Sequence, residues 1–328
     1  MYFCNNARFL FGVVTLALLT ACASTPQTQE VTRHPPAHIR PKVVLKEVAF
    51  FPQQQYQCGP AALATVLDYQ GISVNIDDLK NKVYIPERKG SLQLEMIATA
   101  RSHGLLSYKI NPDLGTLLTE IDAGNPVLVF QNLSLDIWPQ WHYAVAVGYD
   151  LIKAELILHS GTIRHYKISF STFERTWQRA KYWAYVFVPA GKIPFTATPL
   201  NYTQACKDLQ QSGFSAAALK AFRQGAIKWP GDSIVLMSLG NAEYAAGNYT
   251  QATVAFSREL DIRALNANAW NNLAYALAAK NCRTKAIKAI QCASRIAPDD
   301  VNIQKSLQEI QAMPVTNTGS CEITDCPD

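Results

Sequence analysis

An α+β domain followed by an all-α helical-repeat solenoid is the fold class that the sequence predicts. Three observations lead there. Helix signals come first and strand signals second between Val43 and Pro189. Strand signals stop at about Asn201. From that point small and apolar residues recur at a spacing of 34. A length of 328 residues allows two domains of roughly 150 each. Apolar residues make up 48 % of the chain, which excludes a wholly disordered one, and 16 Gly with 17 Pro exclude a collagen-like one. Net charge is only +5 with no dense Lys/Arg run, so a nucleic-acid partner is not expected.

Phe9 to Ala21 is an uncharged, mostly apolar run of 13 residues behind Arg8. A spanning helix needs about 20 apolar residues, so this run predicts an export signal. It ends in Leu19-Thr20-Ala21-Cys22. Small residues before a Cys resemble the bacterial lipoprotein signal, which implies cleavage after residue 21 and a lipid on the Cys22 thiol. Ala23 and Ser24, where Asp would signal retention, imply the outer membrane, with the protein facing the periplasm. Residues 22–42 are rich in Thr, Gln and Pro and are expected to form a flexible tether. An oxidising compartment permits disulfides. Cys321 and Cys326 could close a small loop in the polar tail at 312–328, and Cys282 could pair with Cys292, although sequence does not fix connectivity.

The first domain is expected over 43–192. Residues 61–69 follow Gly59-Pro60 and read as helix, with Pro60 suited to the first turn. Residues 92–103 and 114–123 read as helices that stop before Gly104 and at Gly124. Strands are expected at 126–131, 142–149, 155–159 and 164–168, with 183–188 closing an antiparallel meander. The second domain is expected over 199–311. Tyr202, Leu236 and Trp270 share the 34-residue spacing, as do Ala218, Ala252 and Ala286, and Phe222, Phe256 and Ile290. These positions match the tetratricopeptide (TPR) pattern, giving about three units, with 301–311 as a capping helix. Cys206 stands where Gly is usual in the first unit.

The chemistry centres on residues 52–67, PQQQYQCGPAALATVL. Cys58 directly precedes Gly-Pro and a helix start, where free N–H groups and the helix dipole favour a thiolate. A Gln upstream can aim its amide at the oxygen that becomes negative in acyl transfer, with the Cys58 N–H as second donor. A proton acceptor is also needed, and His142 opens the strand HYAVAVGY.

QCGPAAL followed by HYAVAVGYD resembles the bacteriocin-processing cysteine peptidases that cut after double-glycine leaders. The whole layout resembles a proteobacterial group of lipoprotein cysteine peptidases carrying TPR repeats. This resemblance implies a papain-like cysteine peptidase domain with Cys58 as nucleophile, His142 as general base and acid, and Gln53 in the oxyanion hole. Gln54 is an alternative to Gln53, because the offset from the Cys is one short. The family's acidic third residue falls on His159 or Ser160, neither of them an acid. Asp150 reads as a turn residue. The expected function is a lipid-anchored envelope peptidase acting on a peptide or protein, with the repeats docking substrate or partner. The rival is a peptide-binding module that does not cut. No metal or cofactor is expected, and with no P-loop, no ATP.

Overall fold

The computed structural model describes residues 24–53, 57–88, 90–314, 321 and 326–327. The signal segment expected at 1–21, the lipidation expected at Cys22 and the candidate Gln54 lie outside the described residues, as does most of the tail. Among the described residues no helix is long and apolar enough to cross a membrane.

The first domain is built on a seven-stranded sheet in which every pair is antiparallel. Its strands are β1 (Lys42–Val44), β4 (Leu105–Lys109), β5 (Val127–Asn132), β6 (Trp141–Asp150), β7 (Glu155–Ser160), β8 (Ile163–Ser169) and β9 (Ala184–Pro189). A small hairpin, β2 (Tyr84–Ile85) with β3 (Gly90–Ser91), stands apart. The order β4-β9-β5-β6-β7-β8 contains the expected meander, but β9 does not close it beyond β8. Instead β9 inserts between β4 and β5, because the helix at Phe170–Arg179 carries the chain back across the sheet. The sequence pattern does not mark that helix, β4 or the helix at Ile76–Val83.

Helices cover both faces, so β5 is buried on both and reads as a continuous apolar run rather than an alternating one. On one face lie α2 (Cys58–Tyr69), α3 (Ile76–Val83) and α4 (Gln93–Ser102), packed on Tyr143, Val145 and Val147 of β6. On the other lie α5 (Leu114–Asp122) and α6 (Phe170–Arg179), packed on Ala144, Ala146 and Tyr149. The alternation along β6 thus serves two separate cores, and its phase shifts at the irregularity between Ala146 and Gly148, which puts Tyr149 on the face of Ala144 and Ala146.

The flexible tether expected at 22–42 is corrected over most of its length. Residues Pro26–Arg33 form a helix, α1, with Val31 buried. Its free N-terminal amides donate to the buried carboxylate of Glu174 on α6, Gln27 N at 3.0 Å and Thr28 N at 2.7 Å. A carboxylate at a helix N-terminus satisfies orphan donors and the dipole together. Gln27 also bonds the Pro112 carbonyl and the Leu114 amide, and Arg40 pairs with Asp122 at 2.9 Å.

Six helices form three hairpins: α7 (Pro199–Gln211) with α8 (Ser215–Lys228), α9 (Ser233–Ala245) with α10 (Tyr249–Ile262), and α11 (Ala267–Ala279) with α12 (Arg283–Ile296). The capping helix α13 (Val301–Ala312) follows. Ala218, Ala252 and Ala286 are fully buried where paired helices meet. A Cβ on Gly240 would stand 2.3 Å from the Phe256 ring, which explains why the repeat wants a small residue there. Cys206, at the equivalent place, is buried and free. The disulfides are Cys282–Cys321 and Cys292–Cys326, not the two local pairs suggested by spacing. Cys282 caps α12 and Cys292 lies ten residues along, about 15 Å by helical rise, beyond any disulfide's reach.

Candidate active site

Cys58 is the first residue of α2, and residues 59 to 67 behind it are all buried. Apolar packing on both sides therefore fixes the helix, and the helix fixes the thiol. Gly59 is required by crowding: a Cβ there would lie 2.2 Å from Ser91 Oγ on the β3 strand. Pro60 falls within the first turn, where no amide partner is lost. Burial pushes the Cys58 thiol above its ordinary range, while the main-chain N–H groups of Tyr143, Gly59 and Cys58 itself pull it back.

The Tyr143 amide is available for a structural reason. The β6–β7 ladder begins only at Val145↔His159, leaving the β7 side of Tyr143 outside it. The thiol takes the N–H of Tyr143. Gln53 Nε2 reaches its carbonyl at a long 3.4 Å. Gln53 is held by its own main chain, whose N–H donates to the Gly161 carbonyl at 3.0 Å in the β7–β8 turn. Cys58, Gln53 and the start of β6 thus converge.

His142 is the second residue of β6 and is half-buried. Its Nε2 lies 2.8 Å from Ser160 Oγ at the end of β7. Burial alone lowers its pKa to about 4. Among the described residues no carboxylate offsets that loss of hydration, so the ring rests neutral above that pH. A hydroxyl partner, unlike a carboxylate, brings no charge that would stabilise the imidazolium.

His159 is corrected as a candidate third residue. Neighbours on a strand point to opposite faces, and His159 turns away from His142. It is 3 % exposed, its Nδ1 lies 3.2 Å from the Ala49 carbonyl, and its ring packs edge-on to Phe50 and near His165. Burial, then His165, lowers its pKa to about 4. Asp150 sits at the far end of β6, where its carboxylate takes the Lys153 N–H at 3.1 Å and pairs with Lys42. It is a turn residue and cannot orient His142 from there. Nothing in the sequence marks Tyr143, because its part is played by main-chain atoms, which no side-chain motif encodes. Among the described residues no His, Cys, Asp and Glu cluster has the makings of a metal site.

Residues 45–185 match the model of the Peptidase_C39 like family. No curated protein matches the sequence. Among solved structures, a C39-like protein from Bacillus anthracis is 19 % identical, with 45 % of this chain and 97 % of that one covered and a TM-score of 0.38. A double glycine motif protease from an AMS/PCAT transporter, solved with its leader peptide, is 22 % identical, covering 47 % of this chain and 96 % of its own, with a TM-score of 0.35. The second TPR domain of human RPAP3, solved with an HSP70 peptide, is 12 % identical, covering 35 % of this chain and 100 % of its own, with a TM-score of 0.32.

Proposed function

We propose that this chain, with a Peptidase_C39-like domain over residues 45–185 and a TPR-like solenoid behind it, is a lipid-anchored envelope cysteine peptidase. The observation that carries this reading is the convergence at the start of β6. There a helix-tip thiol takes the Tyr143 amide, and His142, the residue before Tyr143 on the same strand, has its Nε2 2.8 Å from Ser160 Oγ.

With Nε2–H donated to Ser160, Nδ1 of His142 is left as the free base. It accepts the Cys58 proton as sulfur attacks the substrate carbonyl carbon. The Cys58 N–H and the Gln53 amide hold the resulting oxyanion. The imidazolium then protonates the leaving amine, and the acyl group stays on sulfur as a thioester. Nδ1 next takes a proton from water, hydroxide attacks the thioester, and the thiol is restored. Because thiol and imidazole both rest neutral, the nucleophile forms during attack instead of waiting as a stored ion pair.

Cys22 is the proposed lipid attachment point and the outer membrane the proposed location. Two disulfides in the repeat domain support an oxidising compartment. The solenoid is proposed to dock a peptide or protein partner, as the peptide-bound RPAP3 domain does. A non-cutting peptide-binding module is the second reading, favoured by the serine at position 160. A peptide-library digestion separates the two. New termini that vanish with Cys58→Ala and with His142→Ala are expected. Identical digests for wild type and Cys58→Ala overturn the peptidase reading and leave the binding one.

A further inference from the structure

The hairpin loop between β5 and β6, residues 133–140, carries an apolar tip that the peptidase reading does not use. Ile137 is 83 % and Trp138 80 % exposed, with Leu135 at 60 %, Trp141 at 50 % and Leu133 at 42 %. Scattered exposed apolar residues need no explanation, but five within nine positions form a patch that marks a contact surface. The loop has a defined shape. Leu133 N–H donates to the Gln140 carbonyl at 2.9 Å, and Leu135 bridges to Trp138. Asn132 Oδ1 takes the amides of Ser134 and Gln140 from below, and Trp141 stacks on Phe130. Asp136 is the loop's one charged residue.

Where the chain enters the domain indicates what covers this tip. The amides of Gln27 and Thr28 sit on Glu174 of α6. Further along the same helix, Thr176 accepts from Gln131, and Arg179 donates to the Asn132 carbonyl at the root of the loop. Glu174 and Arg179 are separated by about 7.5 Å of helical rise. From Cys22 to Gln27 the chain spans at most about 17 Å. A lipid on Cys22 would therefore hold the bilayer within roughly 30 Å of the root of the loop, close enough for the loop to reach it.

We infer that the 133–140 loop is a membrane-docking finger whose Ile137 and Trp138 enter the interface of a phospholipid bilayer. The inference rests on the lipidation of Cys22 proposed above. Trp suits that depth, because its ring is apolar and its N–H remains near water. The loop runs directly into His142, so docking turns this edge of the cleft toward the lipid surface. Substrates would then be peptides presented at the membrane, not those free in solution.

The test uses the full chain, purified and reconstituted with vesicles of phosphatidylethanolamine and phosphatidylglycerol, some with brominated acyl chains. Subtracting the emission of Trp138→Phe from that of wild type isolates Trp138. Strong quenching of that difference by brominated lipid is expected. Ile137→Ser should weaken docking by roughly tenfold, with cleavage or labelling at Cys58 in detergent unchanged. An unquenched difference spectrum overturns the inference, as does quenching indifferent to Ile137→Ser. Mass spectrometry of the same preparation reads the Cys22 lipid independently. An unlipidated Cys22 sinks the anchor, while Trp138 quenching still decides the loop.

Discussion

Ser160→Asp is the most informative single change at the candidate site. In the wild type the His142 ring has a neutral hydroxyl 2.8 Å from Nε2, and burial lowers its pKa to about 4. At pH 7 only about one ring in a thousand then carries a second proton. A carboxylate in place of the hydroxyl stabilises imidazolium, typically by 1–3 pKa units, which moves His142 to roughly 5–7. Near the middle of that range about one ring in ten is charged at pH 7, and a charged ring in turn favours the Cys58 thiolate. Two assays read this. Imidazole C–H resonances followed by NMR give the His142 titration directly. Iodoacetamide labelling of Cys58 across pH, located by mass spectrometry, gives the thiolate. Wild-type labelling should climb only toward alkaline pH, because burial raises the thiol. Ser160→Asp should extend it toward neutral pH, whereas Ser160→Ala should keep the wild-type pH shape while loosening the ring. A wild-type His142 titrating near 6.5, or a Ser160→Asp variant that leaves it unmoved, would refute the neutral-pair account.

Other consequences are open to direct measurement. Gly59→Ala drives a methyl to within 2.2 Å of Ser91 Oγ, so it should cost about 1–3 kcal/mol in a denaturant titration, with partial recovery in Gly59→Ala/Ser91→Gly. His159 is held neutral in the fold, with a pKa of about 4 against 6.5 unfolded. Its contribution is therefore complete above pH 6.5 and is lost as pH falls toward 4, by up to about 3 kcal/mol; His159→Gln should flatten the melting temperature over that window. Reducing Cys282–Cys321, which closes a separation of 39 residues, should cost about 4 kcal/mol in the chain-entropy picture and lower the melting temperature of the repeat domain.

The parts legible in the sequence are those fixed by short-range rules. A Cys ahead of Gly-Pro marks a helix tip because each residue answers a local constraint: a free amide, a close approach, a missing N–H. The 34-residue period is legible for a similar reason, since Ala218, Ala252 and Ala286 each solve the same packing problem. What stayed hidden depends on distant partners. Residues 26–33 are polar and read as tether; their helix is held by Glu174, some 147 positions away. The choice between His159 and Ser160 turns on register, where a one-residue slip reverses the face, and the β7–β8 pairing is irregular between Leu158 and Ser160. The disulfides follow from where α12 and the returning tail lie in space, which spacing does not carry.

The join between the two domains bears on how a partner held by the repeats would meet the cleft. The fully buried Glu120 on α5 takes the amides of Phe195 and Thr196, the Thr196 hydroxyl and the Asn125 side chain. A charge buried with this many donors anchors the connecting segment, and breaking such a set leaves an unpaired charge behind. Tyr108 on β4 adds contacts to Thr196 and Thr198, and Arg101 on α4 pairs with Asp208 on α7. Tyr202, Leu209 and Phe222 of the first repeat belong to the same apolar core as Leu106, Val186 and Val188 of the sheet. The first hairpin is thus part of the sheet domain's packing, so the solenoid starts from a fixed angle. A peptide or protein seated on this first hairpin would stand in a set position relative to the sheet domain.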